Sequence, residues 1–323
     1  MNLIDNSPLF RIEKLKKFKQ KELTKKQQNT YMVLMDYLRR QKNLSMYPYY
    51  ERILGKTSGQ QAQILLTLSE YRLKNEKDIK SYFQLLKGLD GYFDSLIEYS
   101  KEQVKRNLFL SDQSLKEVLQ QIQNVIKQKE NNMLVATFNL RIADIKGINA
   151  AQKKKYCREN KKLIGTKVLS AYEKLYSHLQ ALNGNGKNEN GLYYYKNGKE
   201  YYKVLVAQKT GSDKTIEEMI EISDRSIEKC LRKLIKLQKK YPNIINEYRN
   251  HKKNIKIVQN PQNILNKLRQ KMVKYYPKAP KVSCKIKYVH KTMEEYTSPA
   301  FYMVPEIDSY KENVIYINKA QTA

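Results

Sequence analysis

Val282-Ser283-Cys284-Lys285-Ile286-Lys287-Tyr288-Val289-His290, Pro299-Ala300-Phe301-Tyr302-Met303-Val304 and Asn313-Val314-Ile315-Tyr316-Ile317-Asn318 are three short apolar segments in the last fifth of the chain. In the first, Val282, Cys284, Ile286 and Tyr288 alternate with Ser283, Lys285 and Lys287, the period of a half-buried strand. The second and third are separated by Pro305-Glu306-Ile307-Asp308, a turn-forming run. Three strands so close together predict a small mixed or antiparallel β-sheet near the C-terminus.

Upstream the period changes from two to between three and four. Ile79, Tyr82, Phe83, Leu86, Leu89, Phe93, Leu96 and Ile97 form one stripe, which predicts a single amphipathic helix between Asn75 and Gln103, with Asn75 as its N-cap. Another helix is expected from Ser111-Asp112 through Ile126, and a long one from about Asn149 to Leu182. Asn183 to Gly191, rich in Asn and Gly, is the strongest break. Gly191 to Tyr195 reads as a short strand turning at Asn197-Gly198. A helix over Lys199 to Lys209 follows, closed by Gly211. Thr215 and Glu218 have capping-box spacing ahead of Ile216, Met219, Ile220, Ile227, Leu231, Leu234 and Ile235. Pro242 ends that helix, and Asn260-Pro261 opens a last one running to Tyr276. The fold class is therefore mainly α, a multi-helix body with a small sheet. Its expected regions are helical 1–182, loop and turn 183–198, helical 199–280 and β-rich 281–323.

Composition bounds the function. The 323 residues carry 62 Lys and Arg against 32 Asp and Glu, a formal charge of +30. Such a field attracts polyanions in a salt-dependent way, so a basic polyanion- or nucleic-acid-binding protein is one reading. Against it, only 12 of the basic residues are Arg, whose fork recognises phosphate and guanine, and Lys229, Lys233, Lys236, Lys239 and Lys240 sit between stripe positions where a solvated face is expected. The 26 tyrosines invite the same weighing. Tyr193-Tyr194-Tyr195-Lys196 could stack bases, but core packing with a bonded hydroxyl explains stripe residues such as Tyr82 and Tyr172. Cys157, Cys230 and Cys284 fit no metal spacing or disulfide framework. No run approaches the ~18 apolar residues of a membrane span, and residues 1–24 hold no signal-like apolar core, so the chain as written is expected in the cytoplasm.

The chain offers no catalytic residues and no metal ligands that its spacing would support. Its three histidines, His178, His251 and His290, include no i,i+4 pair. Thr210-Gly211-Ser212-Asp213 lacks the nucleophile-elbow pattern, and no Gly-rich segment completes a phosphate loop. Glu217-Glu218 suits the first turn of a helix, where the dipole favours carboxylates.

Several segments carry a family resemblance. They are Ser298-Pro299-Ala300-Phe301-Tyr302 with Asn313 to Asn318, and Gly191-Leu192-Tyr193 with Asn197-Gly198-Lys199-Glu200-Tyr201-Tyr202. Thr210-Gly211-Ser212-Asp213, Ser58-Gly59-Gln60-Gln61 and Phe109-Leu110-Ser111-Asp112 belong with them. The chain resembles the bacterial domain of unknown function 885 family, whose members are similar to zinc metallopeptidases. The resemblance implies a partial zincin-like scaffold in which the strands lead into a helix bearing His-Glu and then Pro-Gly-His. This sequence has no such helix. The chain is thus expected to be an amino-terminal and central fragment, truncated before the metal motif and inactive alone. Zinc is a cofactor of complete members, often exported, and none is expected here. The implied substrate-binding residues are Ala300, Phe301 and Tyr302, an edge strand for a peptide. The implied partners are a peptide or a missing C-terminal half, the latter making the chain one part of a split metal-dependent hydrolase.

Overall fold

Why the sequence turns back on itself so often is visible at its helix N-termini, where Ser7, Thr24, Asn75, Ser111, Asn132, Asn149 and Asn260 each accept a backbone amide. The computed structural model describes residues 7–56, 58–186, 189, 191–254, 260–277, 281–289, 291, 294, 297–305 and 311–322. The helices are α1 Pro8–Lys16, α2 Lys25–Leu44, α3 Gln60–Ser69, α4 Glu76–Lys87, α5 Leu89–Lys105, α6 Asp112–Lys127 and α7 Met133–Ala143. They continue with α8 Ala150–Leu163, α9 Leu169–Gln180, α10 Gly198–Thr210, α11 Ile216–Lys240, α12 Ile244–Asn254, α13 Pro261–Met272 and the short α14 Lys319–Thr322. The strands are β1 Ser283–Tyr288, β2 Ala300–Met303 and β3 Glu312–Ile317. The chain divides into two units, Met1–Ile222 and Ser223–Ala323.

The first unit is helical, and its core is the set of stripes read from the sequence. Tyr82 and Phe83 stack on Phe138 at 5.4 and 5.7 Å between ring centroids, and Phe93 meets Tyr172 edge-on at 4.7 Å. Asn75 caps α4 by accepting the Asp78 amide at 3.1 Å, as expected. The single helix expected over Asn75–Gln103 is two, because the chain bends at Gly88, which closes α4 through the Gln84 carbonyl at 2.9 Å. The stripe stays in phase across the bend because both helices bury it in the same core. The long helix expected over Asn149–Leu182 is α8 and α9 joined by a π-helical turn, Ile164–Val168, that contains Gly165. Such a turn adds one residue without ending the helix.

A buried polar pair ties a loop to this core. The Gln61 amide donates to the Gly55 carbonyl and to Gln121 Oε1, both at 2.7 Å, and Gln121 donates to the Lys56 carbonyl at 2.8 Å. Tyr172, fully buried, donates its hydroxyl to the Gln61 carbonyl at 2.6 Å.

Gly191 to Tyr195, expected as a strand, is instead a 3₁₀ turn, Gly191–Tyr194. Gly191 and Asn197 adopt left-handed conformations at φ +80° and +57°, which curl the chain too tightly for a ladder. Gly198 packs its Cα against the Leu192 carbonyl, where a Cβ would overlap backbone. The expected C-cap and capping box both form. Gly211 is left-handed at φ 66°, while Thr215 and Glu218 exchange bonds of 2.7 and 3.1 Å.

The second unit contains the three strands where the alternation placed them. Their order is β1-β3-β2, with β1 parallel and β2 antiparallel to β3, so the sheet is mixed. The predicted turn at Glu306, Ile307 and Asp308 lies outside the described residues.

Candidate functional site

The edge-strand residues come together as a strand at the sheet margin. β2 pairs with β3 on one side, in the register Ala300↔Ile317, Phe301↔Tyr316, Tyr302↔Ile315 and Met303↔Val314. Asn318 donates to the Pro299 carbonyl at 2.8 Å, which fixes the phase of the ladder. Because bonded and non-bonded pairs alternate in an antiparallel ladder, Phe301 and Met303 direct their backbone groups to β3. Ala300 and Tyr302 direct theirs outward.

Side chains brace this edge. Phe301 stacks on Tyr316 at 5.0 Å, and the Lys287 ammonium lies 5.9 Å from the same Tyr316 ring, so one row crosses all three strands. On the opposite face the Tyr302 hydroxyl donates to Asn313 Oδ1, and Asn313 donates to the Ser283 carbonyl at 3.2 Å. Buried Asn318 gathers the incoming loop by donating to the Glu294 and Thr297 carbonyls at 2.6 and 3.1 Å. Asparagine does this because its amide carries two donors and an acceptor on a short stem.

The other signature segments have structural duties. Thr210-Gly211-Ser212-Asp213 is the C-terminus of α10, held by Arg40 of α2. The guanidinium donates to the Ala207, Gly211 and Ser212 carbonyls at 3.0, 3.3 and 3.4 Å and pairs with Asp36 and Asp213 at 2.8 and 3.0 Å. The bond from Arg40 holds the Asp36 carboxyl below its ordinary value. Glu217, at the start of α11, is likewise lowered, first by its own backbone N–H and then by Thr215. Asp112 accepts the Gly184 and Gly186 amides, each at 3.0 Å, and so gathers the Asn/Gly-rich loop. Gly59 lies against the backbone of Gly55, leaving no room for a side chain.

A concavity absent from the sequence reading opens in the helical unit. It is a cleft of about 920 Å³ lined by Tyr47, Tyr49, Tyr50, Tyr99, Tyr195 and Tyr201 together with polar side chains. Tyr50 sits 5.4 Å from Tyr47, 5.0 Å from Tyr201 and 6.1 Å from Tyr195, and Tyr49 lies 5.0 Å from Tyr99. The hydroxyls of Tyr50, Tyr99 and Tyr195 donate to the carbonyls of Lys196, Glu51 and Leu108. Burial, then the Glu51 carboxylate, pushes the Tyr99 phenol up to about 12, and burial also raises Tyr50 and Tyr201. Their spacing in sequence, three in Tyr47–Tyr50 and three scattered over a hundred residues, gave no period to detect.

Cys157 and Cys284 are half-buried and Cys230 exposed, and all three are free. His178 is exposed on α9, while the His251 side chain and His290 lie outside the described residues. Among the described residues no three His, Cys, Asp or Glu side chains gather as a metal site. No helix among them is long and apolar enough to cross a membrane. The α11 lysines are exposed, as expected, but so are its apolar residues, with Ile227, Leu231 and Leu234 each more than half exposed.

A family model described as bacterial protein of unknown function (DUF885) matches residues 11–323. No curated protein matches the chain. Among solved structures, the crystal structure of "the putative lipoprotein from Colwellia psychrerythraea" superposes with a TM-score of 0.73 at 14% identity, covering 98% of this chain. The chain spans 60% of that protein's length, and at this identity the likeness establishes the fold alone.

Proposed function

The chain belongs to the family of bacterial proteins of unknown function (DUF885), and we propose that within it the chain is the peptide-holding scaffold of a metallopeptidase-like protein, without hydrolytic chemistry of its own. An extended peptide adds to the sheet alongside β2, pairing with the outward backbone groups of Ala300 and Tyr302. Strand addition takes its affinity from main-chain bonds and its selectivity from alternate side chains. The observation that carries the reading is the one-sided pairing of β2 among the described residues, in phase with the Asn318–Pro299 bond. The Phe301–Tyr316–Lys287 row keeps the strand extended.

A second reading, one part of a split hydrolase, is favoured by the exposed apolar face of α11. A second polypeptide covering that face would also bring the metal helix that family resemblance implies.

The test is binding of blocked penta- to heptapeptides by calorimetry, in wild type and in Tyr302→Pro. The Tyr302 N–H faces away from β3, so proline removes a pairing donor, and with it the hydroxyl bond to Asn313, but no ladder bond to β3. Binding weakened about tenfold or more, with a matching loss on N-methylating the peptide, is expected. Equal binding by the variant refutes the edge, and chelator-sensitive hydrolysis by the purified chain refutes the non-hydrolytic role.

A further inference from the structure

We infer that the tyrosine-lined cleft of the helical unit binds a neutral oligosaccharide. The argument begins with the rings. Tyr50, Tyr99 and Tyr195 have given their hydroxyls to backbone carbonyls, so recognition passes to the ring faces, which those bonds hold at fixed angles. Aromatic faces carry the negative lobe of a quadrupole. The axial C–H bonds of a pyranose present a slightly positive apolar face of matching width, while its hydroxyls project from the ring edge. A lining that combines phenol rings with hydroxyl, amide and charged side chains, as this cleft does, is complementary to such a molecule.

Charge narrows the choice. The lining includes Glu51 and Glu189 against Arg52 and Lys209. In a chain of formal charge +30 this cleft is balanced, and so poorly matched to a polyanion. Gln208 also lines it, and its side-chain oxygen is buried with no hydrogen-bond partner among the described residues. An unpaired buried acceptor is costly and is relieved by a donor. Turned toward the cleft, the Gln208 amide meets that donor in a sugar hydroxyl, whereas its oxygen would meet a carboxylate or phosphate oxygen as a second acceptor. An extended peptide is disfavoured because the walls are helix and turn, from the Tyr47–Tyr50 turn to α5 and α10, and offer no strand edge. At about 920 Å³ the space lies within the ~300–1,000 Å³ of small-molecule sites and accepts more than one hexose ring.

The experiment uses the whole chain with cellotriose, maltotriose and triacetylchitotriose as probes, read by saturation-transfer NMR and calorimetry. Triglycine and a heparin fragment serve as comparators. At least one neutral trisaccharide should receive saturation at its ring C–H protons. Tyr47→Ala, a change at a half-buried position, and Gln208→Leu, which keeps the shape but removes the acceptor, should each weaken it about fivefold or more. Tyr302→Pro in the sheet should leave sugar binding unchanged, which separates this site from the peptide edge. The inference is overturned if no neutral trisaccharide binds at millimolar concentration, if both cleft variants bind like wild type, or if triglycine or heparin is preferred.

Discussion

Replacing Gln61 by Leu removes two buried bonds at once and shows how tightly the loop before α3 is tied to the core. Gln61 is 1% exposed, and its amide nitrogen donates to the Gly55 carbonyl and Gln121 Oε1 at 2.7 Å each. Leucine fills a similar volume but leaves Gln121 Oε1 unpaired, at about 1–3 kcal/mol, and takes one of two bonds from the Gly55 carbonyl, which keeps the Gly59 amide at 3.1 Å. Part of this is returned because Gln61 Oε1 has no partner and its removal relieves a buried acceptor. The net loss is then about 1–3 kcal/mol. For a unit of 222 residues, 1 kcal/mol moves the midpoint by about 2–4 °C, so a drop of about 2–12 °C is expected. Far-UV circular dichroism or calorimetry reads it. A double-mutant cycle with Gln121→Leu should show a coupling of about 1 kcal/mol, since the two amides share a bond. A shift within about 1 °C, or strict additivity in the cycle, would mean that these amides do not hold the loop.

Arg40→Ala should cost about 1–3 kcal/mol by releasing three carbonyls at the end of α10, checked by denaturant unfolding. Because the folded Asp36 carboxyl lies below its ordinary 3.8, its contribution is present above that value and lost as pH falls through the folded one. NMR titration should show Asp36 returning toward 3.8 in the Arg40→Ala variant. Gly198→Ala places a methyl against the Leu192 carbonyl and should lower stability by about 1–3 kcal/mol, read in the same melts. Binding to duplex DNA should fall steeply as salt rises and show no sequence preference in competition assays, the signature of counterion release alone.

Where periodicity was long and local, the sequence was legible. The alternation over Val282–Tyr288 became β1, and Asn75, Ser111, Gly211 and the Thr215–Glu218 pair became helix ends. Both helix boundaries that failed did so because a periodic stripe records which face is buried, not whether the axis bends. Gly88 breaks a stripe that stays in phase, and the turn containing Gly165 inserts a residue into another. At Gly191–Tyr195 the tyrosines favour strand locally, but left-handed Gly191 and Asn197 decide the geometry. The edge strand was legible because β2 is contiguous in sequence. The tyrosine cleft was not, because it gathers Tyr47, Tyr99 and Tyr201 from distant segments, and only the fold brings them together.

The exposed stripe of α11 sets two forces against each other. Ile227, Leu231 and Leu234 are 56, 52 and 56% exposed, an apolar line that water disfavours, while the intervening Lys229, Lys233 and Lys236 repel their counterparts on any second copy. The screening length shrinks from ~30 Å at 0.01 M salt to ~8 Å at 0.15 M, whereas apolar attraction is little affected. Adding salt should therefore promote self-association of the chain while it weakens polyanion binding, two responses of opposite sign from the same lysines. Sedimentation velocity across that range reads the first, and Leu231→Glu should abolish it without changing the helical circular dichroism. Association that instead weakens with salt would show that charge pairing, not the apolar stripe, holds the copies together.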